Sequence, residues 1–167
     1  MATALIGLGG NVGDPVAAMS AALEAIATHP RCRVTAVSRL YRTPPWGKTD
    51  QAWFFNAAAR VETALEAAAL LDLALGIERA NRRVRTERWG PRTLDIDILD
   101  YDGRVIVSDR LTIPHPRMTE RAFVLMPLAD IAPDYRIEGR AVTERLGDVD
   151  SSGIEIADAS PDWWRKA

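Results

Sequence analysis

From Leu94 to Ile98 the chain alternates apolar and acidic residues, Leu-Asp-Ile-Asp-Ile, a pattern that suits one regular conformation. In a β-strand successive side chains leave opposite faces, so Leu94, Ile96 and Ile98 enter a core while Asp95 and Asp97 share the other side, roughly 7 Å apart at about 3.3 Å per residue. At an effective dielectric near 20 two such carboxylates repel by roughly 2.4 kcal/mol, which favours a bound cation. Mg²⁺ fits best, because it takes hard oxygen ligands and keeps positions open for phosphate oxygens. Immediately upstream stand Arg79, Arg82, Arg83, Arg85, Arg88 and Arg92, interleaved with Trp89, Gly90 and Pro91. Phosphate bridging guanidinium and metal would reconcile this basic loop with the acids it runs into. Solvent-facing acids, or arginines decorating a helix end against its dipole, explain either feature alone but not their adjacency.

At 167 residues the chain predicts one domain over 1–167, large enough to fold without disulfide or zinc staples. A composition of 47% hydrophobic and 26% charged residues is that of a soluble globular protein, and a net charge of −2 gives no general attraction to nucleic acid or membrane. Cys32 stands alone, which excludes an internal disulfide and fits a reduced, cytoplasmic setting. The apolar start lacks a basic leading region and breaks at Gly9-Gly10-Asn11, too soon for a signal peptide or a membrane span.

Residues 2–8 read as a buried strand, and Asp14-Pro15 as the cap and first position of a helix over 16–27. A strand over 33–41, a long loop over 42–52 and a strand over 54–62 follow. Thr63-x-x-Glu66 has the form of a capping box opening a helix to about Ala80. After the arginine loop comes a strand over 93–101, and Asp102-Gly103 predicts a hairpin into 104–107. A short helix is expected over 124–131; the tail from about 134 is less readable. The order β-α-β, β-α-β, then a hairpin argues for an α+β, ferredoxin-like sandwich: helices packed on one mainly antiparallel sheet.

Two phosphate motifs fail. Gly7-Leu8-Gly9-Gly10-Asn11-Val12 puts valine where the dinucleotide fingerprint needs its third glycine. Gly47-Lys48-Thr49 mimics the end of a P-loop, but Arg42 stands where that motif needs glycine, and Pro44 and Pro45 have no N–H to offer phosphate. Thr43-Pro44-Pro45-Trp46-Gly47 is a stiffened loop whose Trp46 either covers a flat ligand or sits on a surface turn. A lone histidine such as His115 is more often structural than catalytic, and the flanking Pro114 and Pro116, which fix the backbone and aim the ring, raise the functional reading only modestly. Phe54 and Phe123 are by default core residues.

The run Arg88-Trp-Gly-Pro-Arg92-Thr-Leu-Asp95-Ile-Asp97-Ile-Leu closely resembles the signature of the 6-hydroxymethyl-7,8-dihydropterin pyrophosphokinases of the folate pathway. Gly9-Gly10-Asn11, Tyr41-Arg-Thr-Pro-Pro45, Phe55-Asn56-Ala57, Leu111-Thr-Ile-Pro-His115 and Arg121-Ala-Phe123 fall in that family's order and spacing, so the resemblance covers roughly residues 2–133. It implies that ATP and two Mg²⁺ ions bind and that the pyrophosphoryl group moves intact to the pterin hydroxymethyl oxygen, releasing AMP. It assigns Asp95 and Asp97 to the metals and Arg83 and Arg92 to the polyphosphate. Glu78, Arg85, Arg88, Trp89, Ile98, Arg110, Thr112, His115 and Arg121 correspond to positions around ATP. The pterin maps onto Phe54, Phe123 and Asn56, with Thr43, Pro44, Pro45 and Trp46 as a covering wall. A flat heterocycle gains from aromatic faces and an amide can match its polar edge, so the chemistry agrees.

The chain also departs from the pattern. Phe54 stands where some relatives carry Tyr, and Pro116 replaces an aromatic found in some members. The expected partners are small molecules alone, with no nucleic acid and no membrane, and the expected state is a monomer. An RNA-binding module would prefer an unbroken basic track, and an Asp-x-Asp transferase using a nucleotide sugar leaves the residues around Trp89 and Arg92 unexplained.

Overall fold

The computed structural model describes residues 1–44, 52–81, the backbone of 82–85, and 94–165. Strand β1 (Ala2–Gly10) leads through a turn to helix α1 (Pro15–Thr28). As its sequence predicts, Asp14 accepts the Ala17 N–H at 3.0 Å and Pro15 opens the helix. Ala18, Met19, Ala22, Leu23 and Ile26 recur at helical spacing and are all buried. Removal of Met19, Leu23 and Ile26 from water contributes about 1.5–3 kcal/mol each.

The one strand expected over 33–41 is two, β2 (Cys32–Val37) and β3 (Leu40–Thr43), both paired with β4 (Phe54–Thr63). Ser38 bridges the break: its N–H donates to the Ala58 carbonyl and its Oγ accepts the Ala58 N–H, both at 2.9 Å. Asp130 then ties down the next residues. It accepts the Arg39 backbone N–H and Nε–H at 3.1 Å, an Arg39 Nη2–H at 3.0 Å and the Tyr41 hydroxyl at 2.8 Å. Burial, helped by the Asp130 charge, pushes the Tyr41 phenol up to about 12.

Helix α2 (Ala67–Arg85) differs from expectation at both ends. Thr63 ends β4 and its Oγ1 accepts the Leu65 N–H at 3.0 Å, while the Glu66 carbonyl accepts the Leu70 N–H. The Thr63 hydroxyl therefore closes a tight turn before the helix instead of forming a capping box. The helix runs past Ala80 because arginine is a good helix former and no glycine or proline stands between Ala80 and Gly90. Arg79, Arg82, Arg83 and Arg85 thus lie on the helix and not in a loop.

Strand β5 (Asp95–Tyr101) ends in the expected turn, with φ of 56° at Asp102 and 68° at Gly103 and the Arg104 N–H on the Tyr101 carbonyl. The expected hairpin does not form. Strand β6 (Ile106–Val107) pairs with β7 (Thr112–Ile113), and the His115 N–H occupies the Leu99 carbonyl at 3.0 Å on the edge of β5 that a returning strand would need. Helix α3 (Ala122–Ile131) contains the expected 124–131 segment. The tail is part of the same body: β8 (Arg136–Ile137) and β9 (Arg140–Ala141) form a hairpin, α4 (Val142–Gly147) follows, and β10 (Glu155–Asp158) pairs with β3. Trp164 is buried against α1, where Ser20 donates to its carbonyl, and the Trp163 indole N–H donates to the Ser38 carbonyl at 2.8 Å.

The main sheet runs β10-β3-β4-β1-β5, with β2 also on β4, and every pairing is antiparallel. This is the ferredoxin-like plan, with α1 and α2 on one face over Ile6, Leu8, Ala57, Ala59, Ile96 and Ile98. The structure adds a layer to that plan: α3 and α4 pack on the other face over Leu5, Ala58 and Leu99. A bulge lets β5 serve both layers. Ile6 faces Ile98 but Leu5 faces Asp100, so Leu99 and Asp100 both turn toward the α3 side. There Asp100 is buried and accepts the Tyr135 hydroxyl at 2.8 Å.

Asp130→Ala should cost about 1–3 kcal/mol in urea unfolding, because the buried Tyr41 hydroxyl and the Arg39 N–H lose their acceptor. Buried Glu78 of α2 accepts the Ile96 N–H at 2.7 Å and so ties the helix to β5. Glu78→Ala should cost a similar amount, about 1–3 kcal/mol, and Glu78→Gln, which keeps an oxygen acceptor, clearly less.

Candidate active site

Helix α3 covers only part of its face of the sheet. Beyond its first turn, β1, β4 and β5 leave an open cavity of about 390 Å³, within the usual range for small-molecule sites. Its floor is Gly7 and Gly9 of β1, Asn56 of β4 and Asp95 and Asp97 of β5; Asn11 and Thr43 stand at its margin, and Arg121 and Phe123 border it from α3. The register explains the assembly. Gly9 lies opposite Asn56 on one side and Asp95 on the other, and Gly7 lies opposite Asp97. Since Ile96 and Ile98 are buried under α1 and α2, the alternation of the strand directs both aspartates into the cavity.

Phe54 and Phe123 are not core residues. They are 38% and 39% exposed and both line the cavity, large apolar faces left uncovered where a flat ligand would cover them. The Arg121 guanidinium stacks over the Phe123 ring at 5.8 Å, which holds the ring at the rim. Thr43 Oγ1 is buried and has no hydrogen-bond partner among the described residues, an unusual state for a hydroxyl beside a cavity.

A second cavity of about 270 Å³ adjoins the first and is lined by Leu71, Ile98, Arg110, Thr112, His115 and Pro116 among others. Asp97 borders both. His115 is fixed through its N–H on β5, and the preceding Ile113–Pro114 peptide is cis. Its Nδ1 accepts the Arg117 N–H at 3.3 Å, so the neutral ring carries its proton on Nε2. Burial holds the imidazole below its ordinary range, Arg121 and Arg117 add to that, and Asp97 opposes them. Arg110 is ion-paired with Asp72 of α2.

Those of the expected residues that the structure describes divide among four places. Asp95, Asp97, Phe54, Asn56, Phe123, Thr43 and Arg121 meet at the first cavity, and Ile98, Arg110, Thr112 and His115 at the second. Glu78 lies buried beneath β5 on the Ile96 N–H, and Pro44 lines neither cavity, its ring lying near the Gly153 turn. Pro45, Trp46, Arg88, Trp89 and Arg92 lie outside the described residues, as do the side chains of Arg83 and Arg85. The sequence reading passed over Gly7, Gly9, Asn11 and Leu99 as site residues. For Gly7 and Gly9 the signal was the run of small residues in β1, since a strand that buries one face and bares the other needs no bulk on the bare side, and for Gly9 and Asn11 also the Gly9-Gly10-Asn11 motif.

The Asp95–Asp97 pair fits Mg²⁺. Two carboxylates reach one cavity, and they are hard oxygen donors of the kind Mg²⁺ takes.

A family model described as 7,8-dihydro-6-hydroxymethylpterin-pyrophosphokinase (HPPK) matches residues 5–133. The chain is 52% identical over 155 residues to the 2-amino-4-hydroxy-6-hydroxymethyldihydropteridine pyrophosphokinase of Methylorubrum extorquens, covering 93% of this chain and 98% of that one. It is 45% identical over 151 residues to the protein of the same name from Pseudomonas aeruginosa, covering 90% and 93%. Among solved structures, a crystal structure of Plasmodium falciparum HPPK-DHPS with SDX-DHP superposes with a TM-score of 0.67 at 16% identity, over 89% of this chain and 43% of that one. The chain thus spans less than half of that longer protein, and at this identity the likeness concerns the fold. The matched segment carries both cavities and the identity to bacterial relatives runs nearly end to end, so the chain belongs to the 7,8-dihydro-6-hydroxymethylpterin-pyrophosphokinase family.

Proposed function

We propose that the chain transfers the pyrophosphoryl group of ATP to the hydroxymethyl oxygen of 6-hydroxymethyl-7,8-dihydropterin, releasing AMP, in folate biosynthesis, with the pterin in the first cavity and the nucleotide in the second. The observation that carries this reading is Asp97 at the border of both cavities, where a group passing from one ligand to the other must cross. Phe54 and Phe123 take the faces of the pterin, and the Asn56 amide and Thr43 hydroxyl meet its polar edge. The neutral His115 offers its Nε2–H, with Thr112, Arg110 and Arg121, to the nucleotide.

Asp95 and Asp97 hold Mg²⁺, two ions in this reading. When bound, the metal neutralises phosphate oxygens and lowers the cost of bringing an oxygen nucleophile up to an anionic phosphorus. The new bond forms between the pterin hydroxymethyl oxygen and the β-phosphorus, the hydroxyl proton passes to water, and the bond from that phosphorus to the α,β-bridging oxygen breaks as AMP leaves. Arg83 and Arg92 steady the β- and γ-phosphates as charge redistributes, and Glu78, Arg85, Arg88 and Trp89 complete the nucleotide site. Pro45 and Trp46 serve in this reading as part of the covering wall and exclude water that would otherwise consume ATP, while Pro44, set against the Gly153 turn, takes no part in it. Among the described residues no strong base faces the cavity, so positioning and electrostatics carry the rate. In this reading the chain works as a cytoplasmic monomer; no described helix is long and apolar enough to cross a membrane.

Incubation with ATP, Mg²⁺ and the hydroxymethyl dihydropterin should yield AMP; ADP, or no turnover, would overturn the reading. Asp97→Ala should abolish turnover with an unchanged circular dichroism spectrum, and retained activity would remove Asp97 from the metal site. Phe123→Ala should raise the pterin Kd roughly fivefold, from the loss of about 1 kcal/mol of stacking beyond burial, with little change in ATP binding measured by calorimetry.

A further inference from the structure

Gly9 occupies an unusual position. Its φ is not in the left-handed region, so the backbone there is one that any residue adopts, and the need for glycine is purely one of space. A Cβ at Gly9 would lie 2.4 Å from Asn56 Nδ2, 3.5 Å from Asn56 Cγ and 3.1 Å from the Phe55 carbonyl oxygen. The Asn56 amide therefore lies across Gly9 in the volume that a side chain would fill. Gly7, two residues back on the same face, is different: the nearest atoms to a Cβ there belong to Leu99, at 3.6 to 3.8 Å, an ordinary contact.

We propose that Gly9 is a positioning residue for pterin recognition: the bare β1 backbone at Gly9 is the slot in which the Asn56 amide lies, and it sets which way the amide's donor and acceptor face the cavity. An asparagine side chain has two rotatable bonds, and a neighbour on either side of the sheet could turn it away from a ligand. Here Gly9 sits between Asn56 and Asp95 in the sheet register, so the same missing side chain also leaves open floor between the group that reads the heterocycle and the carboxylate at the metal site. A methyl group at position 9 would occupy the slot and turn the amide out, while the Phe55 carbonyl would need to move by only a few tenths of an ångström. Discrimination of the pterin edge would fall, because a buried donor and acceptor would no longer meet their partners.

This inference rests on the reading of Asn56 as a pterin contact, and the test separates the two. Steady-state kinetics of Gly9→Ala, Asn56→Ala and the double variant, with pterin and ATP each varied, form a double-mutant cycle. Gly9→Ala should raise the pterin KM roughly tenfold and leave the ATP KM unchanged. The double variant should be no worse than Asn56→Ala alone, since without the amide the methyl finds room. Multiplying losses in the double variant would mean that Gly9 acts independently of Asn56 and would overturn the proposal. A wild-type pterin KM in Gly9→Ala beside a raised one in Asn56→Ala would overturn the slot and spare the reading of Asn56. An unchanged KM in Asn56→Ala would bring down that reading and the proposal with it. If Gly9→Ala fails to fold, recovery of folding in the double variant supports the slot, and failure of both assigns Gly9 to strand packing and overturns it.

Discussion

Burial of Ile96 and Ile98 beneath α1 and α2 is the constraint on which the site depends. A strand cannot turn one residue without turning its neighbours, so two apolar side chains in a core force the two intervening and flanking carboxylates out on the other face. A slip of one residue would put the aspartates into hydrocarbon and the isoleucines into water, at a cost of several kcal/mol in either direction. Glu78 reinforces the arrangement from below by accepting the N–H of the residue that lies between the two acids. The mutual repulsion of Asp95 and Asp97 is thus held in place by packing that has nothing to do with a ligand.

The second determinant is an incomplete layer. Helices α3 and α4 cover Leu5, Ala58 and Leu99 but leave the neighbouring stretch of sheet bare, and that bare stretch is the cavity. The bulge in β5 makes both states possible on one strand, since it brings Leu99 and Asp100 to the covered side in succession. Tail residues contribute at a distance. Asp130 at the end of α3 and the Trp163 indole both fasten the break between β2 and β3, and β3 carries Thr43 to the margin of the site.

Much of this was legible in the residues. The period-2 alternation from Leu94 to Ile98, the Asp14-Pro15 helix start and the helix ending at Ile131 are local patterns, and local patterns survive into the fold. Phe54, Asn56 and Phe123 were legible through the resemblance, not through their own neighbourhoods, because an apolar ring in sequence carries no sign of whether it faces core or cavity. The length of α2 was misjudged because the arginines read as a loop, although arginine propagates a helix well. The hairpin after Asp102-Gly103 was misjudged because turn chemistry specifies a reversal of direction but not the strand that will be met, and the edge of β5 was already taken by the His115 N–H.

By itself the sequence determined the main strands and helices as far as α3, though not all their bounds, the face of β5 on which the acids stand and, through motifs shared with a family, the chemistry to expect. Only the tertiary structure decided that a glycine in β1 lies under the Asn56 amide, that Asp97 borders two cavities, and that a tail with weak local signals closes the sheet edge and buries Trp164. The division follows from distance along the chain. Strand periodicity and helix capping act between residues a few positions apart, whereas steric fit between β1 and β4 and the covering of a sheet face join residues dozens of positions apart, whose proximity exists only once the chain has folded.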